Sequence, residues 1–246
     1  MSLSRENSGG RLAIVTGAGG DLAGTVVPRL VEQGWRVALT TRPGSEARTT
    51  ARYSDLGVPA ERLHAFGVDL AASASVEVGF EAIRAAMGTP AALVHLAGRF
   101  EGGPRPDTPV ADAAAVLERI LDGNLRSAAY AVAAVLPAML AAGKGAIVAV
   151  GAAAGTSPAP GSVAYAAAKA ALAAYLRSVA AQAGKGGVSV GLVVPQGAFD
   201  TPGNRAAMPK ADPEGWISPV AFAEAVEFLL ARGPRGMVHE LPLSAH

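Results

Sequence analysis

At 246 residues, half of them hydrophobic and 17% charged, with a mean hydropathy of +0.31, the chain has the composition of a globular protein and is unlike a disordered one. Its formal charge of +1 supplies no basic field, which argues against nucleic acid as a partner. The lack of cysteine rules out disulfides and thiolate metal sites and fits a reducing cytoplasm. The histidines (His64, His95, His239, His246) are too scattered for a metal cluster, so no metal is expected. No run approaches about 18 strongly apolar residues, so no membrane span is expected. Residues 1–10 are polar, lack the apolar core of a signal peptide and read as a disordered tail ahead of one domain over 11–246.

From residue 11 onward, apolar runs of strand length alternate with helical patterns. Strand 11–16 stops at Gly17 and is followed by helix 22–33, strand 35–41, helix 45–56, strand 63–68 and helix 75–87. Strand 91–96 comes next, then two helical stretches over 110–142 with a break near Asp122 and Gly123, and strand 146–150. An alanine-rich helix over 163–183 leads to strand 188–194, helix 219–231 and a last strand over 237–241. The strands are continuously apolar and separated by helices, which predicts a seven-stranded parallel sheet covered on both faces: a doubly wound α/β Rossmann fold in a single domain. Residues 102–109 and 196–216 read as loops beyond the carboxyl ends of strands, where such sheets place ligands, and 196–216 is the expected substrate loop.

Between the first strand and first helix stands Thr16-Gly17-Ala18-Gly19-Gly20-Asp21-Leu22-Ala23-Gly24. Glycines there let the backbone approach a pyrophosphate, and free N–H groups at the helix start favour an anion, so Gly17, Gly19, Gly20, Asp21 and Leu22 are expected at a dinucleotide. Asp21 would oppose that anion unless it faces away. The second strand ends in Thr41-Arg42 in place of the acidic residue that holds the ribose hydroxyls of NAD, so NADP(H) is preferred over NAD(H). Asp69, after the third strand, can accept hydrogen bonds from adenine.

Tyr165-Ala166-Ala167-Ala168-Lys169 puts a phenol and an ammonium one helical turn apart, where the cation would stabilise phenolate and lower the tyrosine pKa. With this pair in place, residues 12–241 resemble the short-chain dehydrogenase/reductase superfamily. The resemblance makes Tyr165 the proton donor or acceptor. It has Lys169 hold the nicotinamide ribose, and Asn124 match the family's asparagine that supports a relay water. It also brings Leu70, Ala97, Gly98, Pro195 and Thr201 to the cofactor, and implies a homodimer or homotetramer acting on a small-molecule substrate.

The family's serine falls here on Ala152, and its Asn-Asn-Ala-Gly is His95-Leu96-Ala97-Gly98. The segment Asp200-Thr201-Pro202-x-Asn204-Arg205-x-x-Met208-Pro209-x-Ala211-Asp212-x-x-x-Trp216 is similar to the quinonoid dihydropteridine reductase-like branch, which also lacks the serine. That places Ala152, Thr156, Ser157, Asn204 and Met208 around the substrate. Three explanations of Ala152 stand open: a conjugated quinonoid or imine-like substrate that needs one donor, a substitute hydroxyl from Thr156 or Ser157, or a catalytically weak protein that keeps the fold as a dinucleotide sensor or scaffold.

Overall fold

The computed structural model describes residues 10–246, and residues 1–9, most of the expected tail, lie outside the described residues. Seven parallel strands, β1 (Leu12–Thr16), β2 (Arg36–Thr41), β3 (Leu63–Gly67), β4 (Ala92–His95), β5 (Gly145–Val150), β6 (Val188–Pro195) and β7 (Glu240–Leu243), form one sheet in the order β3-β2-β1-β4-β5-β6-β7. The order reverses between β1 and β4, so a crevice opens at their carboxyl ends, where Thr16 pairs with His95.

Both faces of the sheet are buried, which is why the strands carry no polar alternation. Ala13, Val15, Leu39 and Val94 face α1 (Asp21–Glu32), α2 (Glu46–Asp55) and α8 (Pro219–Leu230). Leu12, Ile14, Leu93 and Ile147 face α3 (Ser73–Met87), α5 (Ser127–Ala141) and α6 (Val163–Ala183). Full burial of one such aliphatic side chain stabilises by roughly 1.5–3 kcal/mol, so the two layers anchor the strands whose ends border the crevice.

Three elements differ from the pattern expected of the sequence. Helix α4 (Val110–Leu121) does not break before α5; a π turn, Asp122–Arg126, joins them because Asn124 and Ser127 turn inward to bond backbone carbonyls. The continuous run Val110–Ala141 is long and apolar enough, by length and composition, to cross a membrane, but its α5 part is packed against the sheet. Segment 196–216 is not all loop: it holds α7 (Pro202–Ala207), capped by Thr201, and a 3-10 turn, Pro213–Gly215, capped by Asp212. Strand β7 starts at Glu240, later than expected, because Met237 packs its sulfur on the Val190 N–H of β6 before the ladder begins.

Candidate active site

The glycine-rich turn lies over the crevice. Gly17 has φ +67°, and a Cβ there would sit 2.7 Å from the Ala97 nitrogen, so glycine is required by conformation and by contact. Gly19 and Gly20 are exposed, a Cβ on Gly19 would meet open space, and no side chain caps the start of α1. The Gly20 N–H closes the turn on the Gly17 carbonyl at 2.9 Å, which leaves the N–H groups of Gly19, Asp21 and Leu22 as a cradle that fits a pyrophosphate. The Asp21 carboxylate is turned to the substrate loop, accepting a 2.9 Å hydrogen bond from the Gly203 N–H.

Helix α2 braces this turn. Thr49 donates to Thr41 Oγ1 at 3.0 Å, Tyr53 Oη donates to the Ala18 carbonyl at 2.7 Å, and Arg52 Nη1 donates to the Gly20 carbonyl at 3.0 Å. Thr41 is buried and Arg42 exposed just beyond it. Next to them, Thr40 Oγ1 is the one buried side-chain polar atom left without a partner among the described residues, an orphan a bound polar ligand can satisfy. Asp69 is exposed after β3 and accepts from the Ala71 N–H, and Leu70 packs half-buried beneath it.

Tyr165 stands half-buried on α6, with the exposed Phe100 ring packed edge-on at 5.1 Å. Burial pushes its phenol up to about 12. Lys169, 5% exposed, is pushed down to about 8 by burial; it donates to the Val150 carbonyl at 2.8 Å and sits 5.6 Å from the Tyr165 ring centroid. The expected lowering of the tyrosine by this cation is thus absent: desolvation dominates, and the ammonium is engaged elsewhere.

Asn124 is buried and pinned by bonds from Nδ2 to the carbonyls of Arg99 (2.7 Å) and Ile120 (2.9 Å). A Cβ on Gly98 would fall 3.3 Å from Asn124 Oδ1 and 3.8 Å from Lys169 Nζ, so the bare Gly98 backbone fits between the two. Ala152 lies at the end of β5, ahead of a 3-10 turn, and offers only a methyl group. Thr156 is exposed and donates to the Ala153 carbonyl at 3.1 Å, and Ser157 is exposed.

Pro195 ends β6, and Thr201 is buried with Oγ1 accepting the Asn204 N–H. The Asn204 side chain donates to the Phe199 carbonyl at 2.9 Å, so it organises the loop, and Met208 remains 39% exposed beyond it.

The short chain dehydrogenase family model matches residues 11–212. The chain belongs to that family. This short-chain dehydrogenase is 31% identical over 189 residues to a 2-dehydro-3-deoxy-L-rhamnonate dehydrogenase (NAD(+)) of a Sphingomonas species, covering 76% of the chain and 72% of that protein. It is 30% identical over 185 residues to carbonyl reductase family member 4 of Danio rerio, covering 75% and 74%. Its fold is similar to that of an actinorhodin polyketide ketoreductase with NADPH, at a TM-score of 0.84 and 21% identity over 96% of each chain. These matches support an NAD(P)-dependent oxidoreductase and do not reach to a branch within the family.

Four features of this dehydrogenase were not legible in the sequence: the bracing Arg52 and Tyr53, the Asp21–Gly203 bond, the Phe100–Tyr165 contact and a buried network around His95. In that network Thr16 Oγ1 lies 2.9 Å from His95 Nδ1, and Ser127 Oγ lies 3.4 Å from Nε2 while donating to the Gly123 carbonyl. Only the replacement of the family's asparagine by His95 signalled it in advance.

Proposed function

We propose that the protein is an NADP(H)-dependent reductase of a small conjugated, quinonoid or imine-like acceptor, or of a carbonyl, with Tyr165 as proton donor. The carrying observation is a single donor: the Tyr165 phenol stands above Lys169, whereas Ala152 has none to offer. A bound nicotinamide supplies the hydride.

The residues that fit the cofactor are Gly19, Gly20 and Leu22 for the pyrophosphate, Arg42 for a 2′-phosphate, and Asp69 and Leu70 for the adenine. Ala97, Gly98, Lys169, Pro195 and Thr201 fit the nicotinamide half. With its pKa near 12, Tyr165 is protonated at neutral pH and acts as an acid. Below about pH 8 Lys169 is charged and, anchored on the Val150 carbonyl, would hold the nicotinamide ribose.

Losing one donor to a developing oxyanion costs about 2.7–4 kcal/mol, so a simple ketone is a poor substrate and a conjugated acceptor, which disperses the charge, a better one. The likeness of 200–216 to the dihydropteridine reductase-like branch supports that class. Arg42 and the lack of an acidic residue after β2 support NADP(H); the sugar-acid relative is described with NAD(+), the ketoreductase neighbour with NADPH. The test is NADPH oxidation with quinonoid pterins, quinones, imines and ketones: turnover of a conjugated class supports the proposal. No oxidation with any class would overturn it and favour the second reading, a dinucleotide-binding sensor or scaffold, which Ala152 also supports.

The proposal extends to a cytoplasmic homodimer or homotetramer. An apolar groove of ≈ 420 Å³ between α4 and α6, edged by Val110 (86% exposed) and Val163 (51% exposed), offers a second copy its seat. Light scattering at the monomer mass would dismiss it.

A further inference from the structure

Three residues of α2 at the i, i+3 and i+4 spacing, Thr49, Arg52 and Tyr53, reach from the end of β2 to the glycine-rich turn. Two have no donor left: Tyr53 is fully buried and donates to the Ala18 carbonyl, and Thr49 is buried and donates to Thr41. Arg52 differs. It is half-buried, spends one N–H on the Gly20 carbonyl, and keeps the remaining donors of its guanidinium fork. Its Nη2 lies along the first turn of α1, where a Cβ on Gly24 would meet it at 2.7 Å. Glycine inside a helix is unfavourable, and here it makes room for that guanidinium.

The charges nearby are unbalanced. Arg29, Arg99, Arg119, Arg126 and Arg205 each hold a carboxylate, but among the described residues no carboxylate lies within ion-pair distance of Arg42, Arg48 or Arg52. Arg48 and Arg52 are like charges one turn apart, an arrangement that destabilises a helix unless an anion sits between or beside them. Arg52 thus touches the first turn of α1, and its helix is tied to the end of β2, one residue before Arg42, by the Thr49–Thr41 bond.

We propose that Arg52 is a specificity-determining residue for the cofactor: a second guanidinium that, together with Arg42, holds the 2′-phosphate monoester of an adenine dinucleotide. A dianionic phosphate offers three acceptor oxygens, enough for two guanidinium forks approaching from different sides. The proposal rests on the NADP(H) reading and names a residue that reading does not use.

Calorimetric titration of NADPH and NADH into the wild type, Arg42→Ala, Arg52→Ala and Arg52→Lys decides it. Arg52→Ala is expected to weaken NADPH about 10–100-fold more than it weakens NADH, the range for losing a hydrogen bond to a charged group, any loss common to both cofactors reporting the freed Gly20 carbonyl, with Arg52→Lys in between. Equal weakening of both cofactors would show that Arg52 only pins the Gly20 carbonyl, and no weakening would show that it does nothing; either overturns the proposal. If Arg42→Ala loses the NADPH preference and Arg52→Ala keeps it, this proposal falls and the NADP(H) reading stands. A wild type that binds both cofactors alike removes that reading itself. NADH binding reports folding in each variant, and should Arg52→Ala fail to fold, Arg52→Lys decides by the same comparison.

Discussion

Position 152 carries a methyl group where a donor would stabilise charge growing on a substrate oxygen, and the hydroxyls that follow it are exposed, Thr156 being bonded to its own turn. Restoring the donor with Ala152→Ser is expected to speed reduction of simple ketones by on the order of 100–1000-fold and to change conjugated acceptors little; steady-state kinetics on both classes checks it. Lys169 sets a second limit. Its pKa of about 8 means that it loses charge as pH rises through that value, so kcat/KM for reduction is expected to fall above about pH 8. Arg, protonated throughout this range, should move that limb upward in Lys169→Arg, which a pH–rate profile would reveal. The same depressed pKa makes Lys169 a source of stability that grows between about pH 8 and its ordinary 10.5, where only the unfolded chain still binds the proton.

Where elements meet, His95 joins the end of β4 to β1 through Thr16 and to the π turn through Ser127. Burial, aided by the charge of Lys169, pushes the ring down to about 3 from an ordinary 6.5. The unfolded chain therefore takes up the proton first, so stability present above pH 6.5 is lost as pH falls toward 3, a contribution on the order of 5 kcal/mol at its full extent. His95→Asn removes the titration, and its urea midpoint is expected to fall less between pH 6.5 and 4 than that of the wild type. Asp21 joins α1 to α7 by one bond to Gly203, and Asp21→Ala is expected to make residues 196–216 more readily cut in limited proteolysis with the rest of the domain resistant. Such links explain what the sequence conceals. The strands were readable because burial on both faces turns them into apolar runs, and the cofactor turn because Gly17 has no alternative to glycine. The roles of Arg52, Tyr53 and Asp21 depend on partners remote along the chain, and α7 is too short for periodicity to announce it.

At the scale of the molecule, two apolar layers clamp one sheet, and the candidate site residues come from the carboxyl ends of its strands, the loops beyond them, helix α6 and the π turn. Leu93, fully buried at the centre beside β1, measures how far the crevice depends on that clamp: Leu93→Ala is expected to cost about 2–5 kcal/mol in denaturant unfolding. The scaffold itself does not choose a chemistry, which in the proposed function rests on the phenol of Tyr165 beside Lys169. The most direct test is NADPH consumption by the wild type and Tyr165→Phe with a conjugated acceptor, with NADPH affinity measured in parallel. Turnover is expected to fall by on the order of 100–10000-fold in the variant while NADPH still binds; unchanged turnover in Tyr165→Phe would contradict the role of Tyr165 as proton donor.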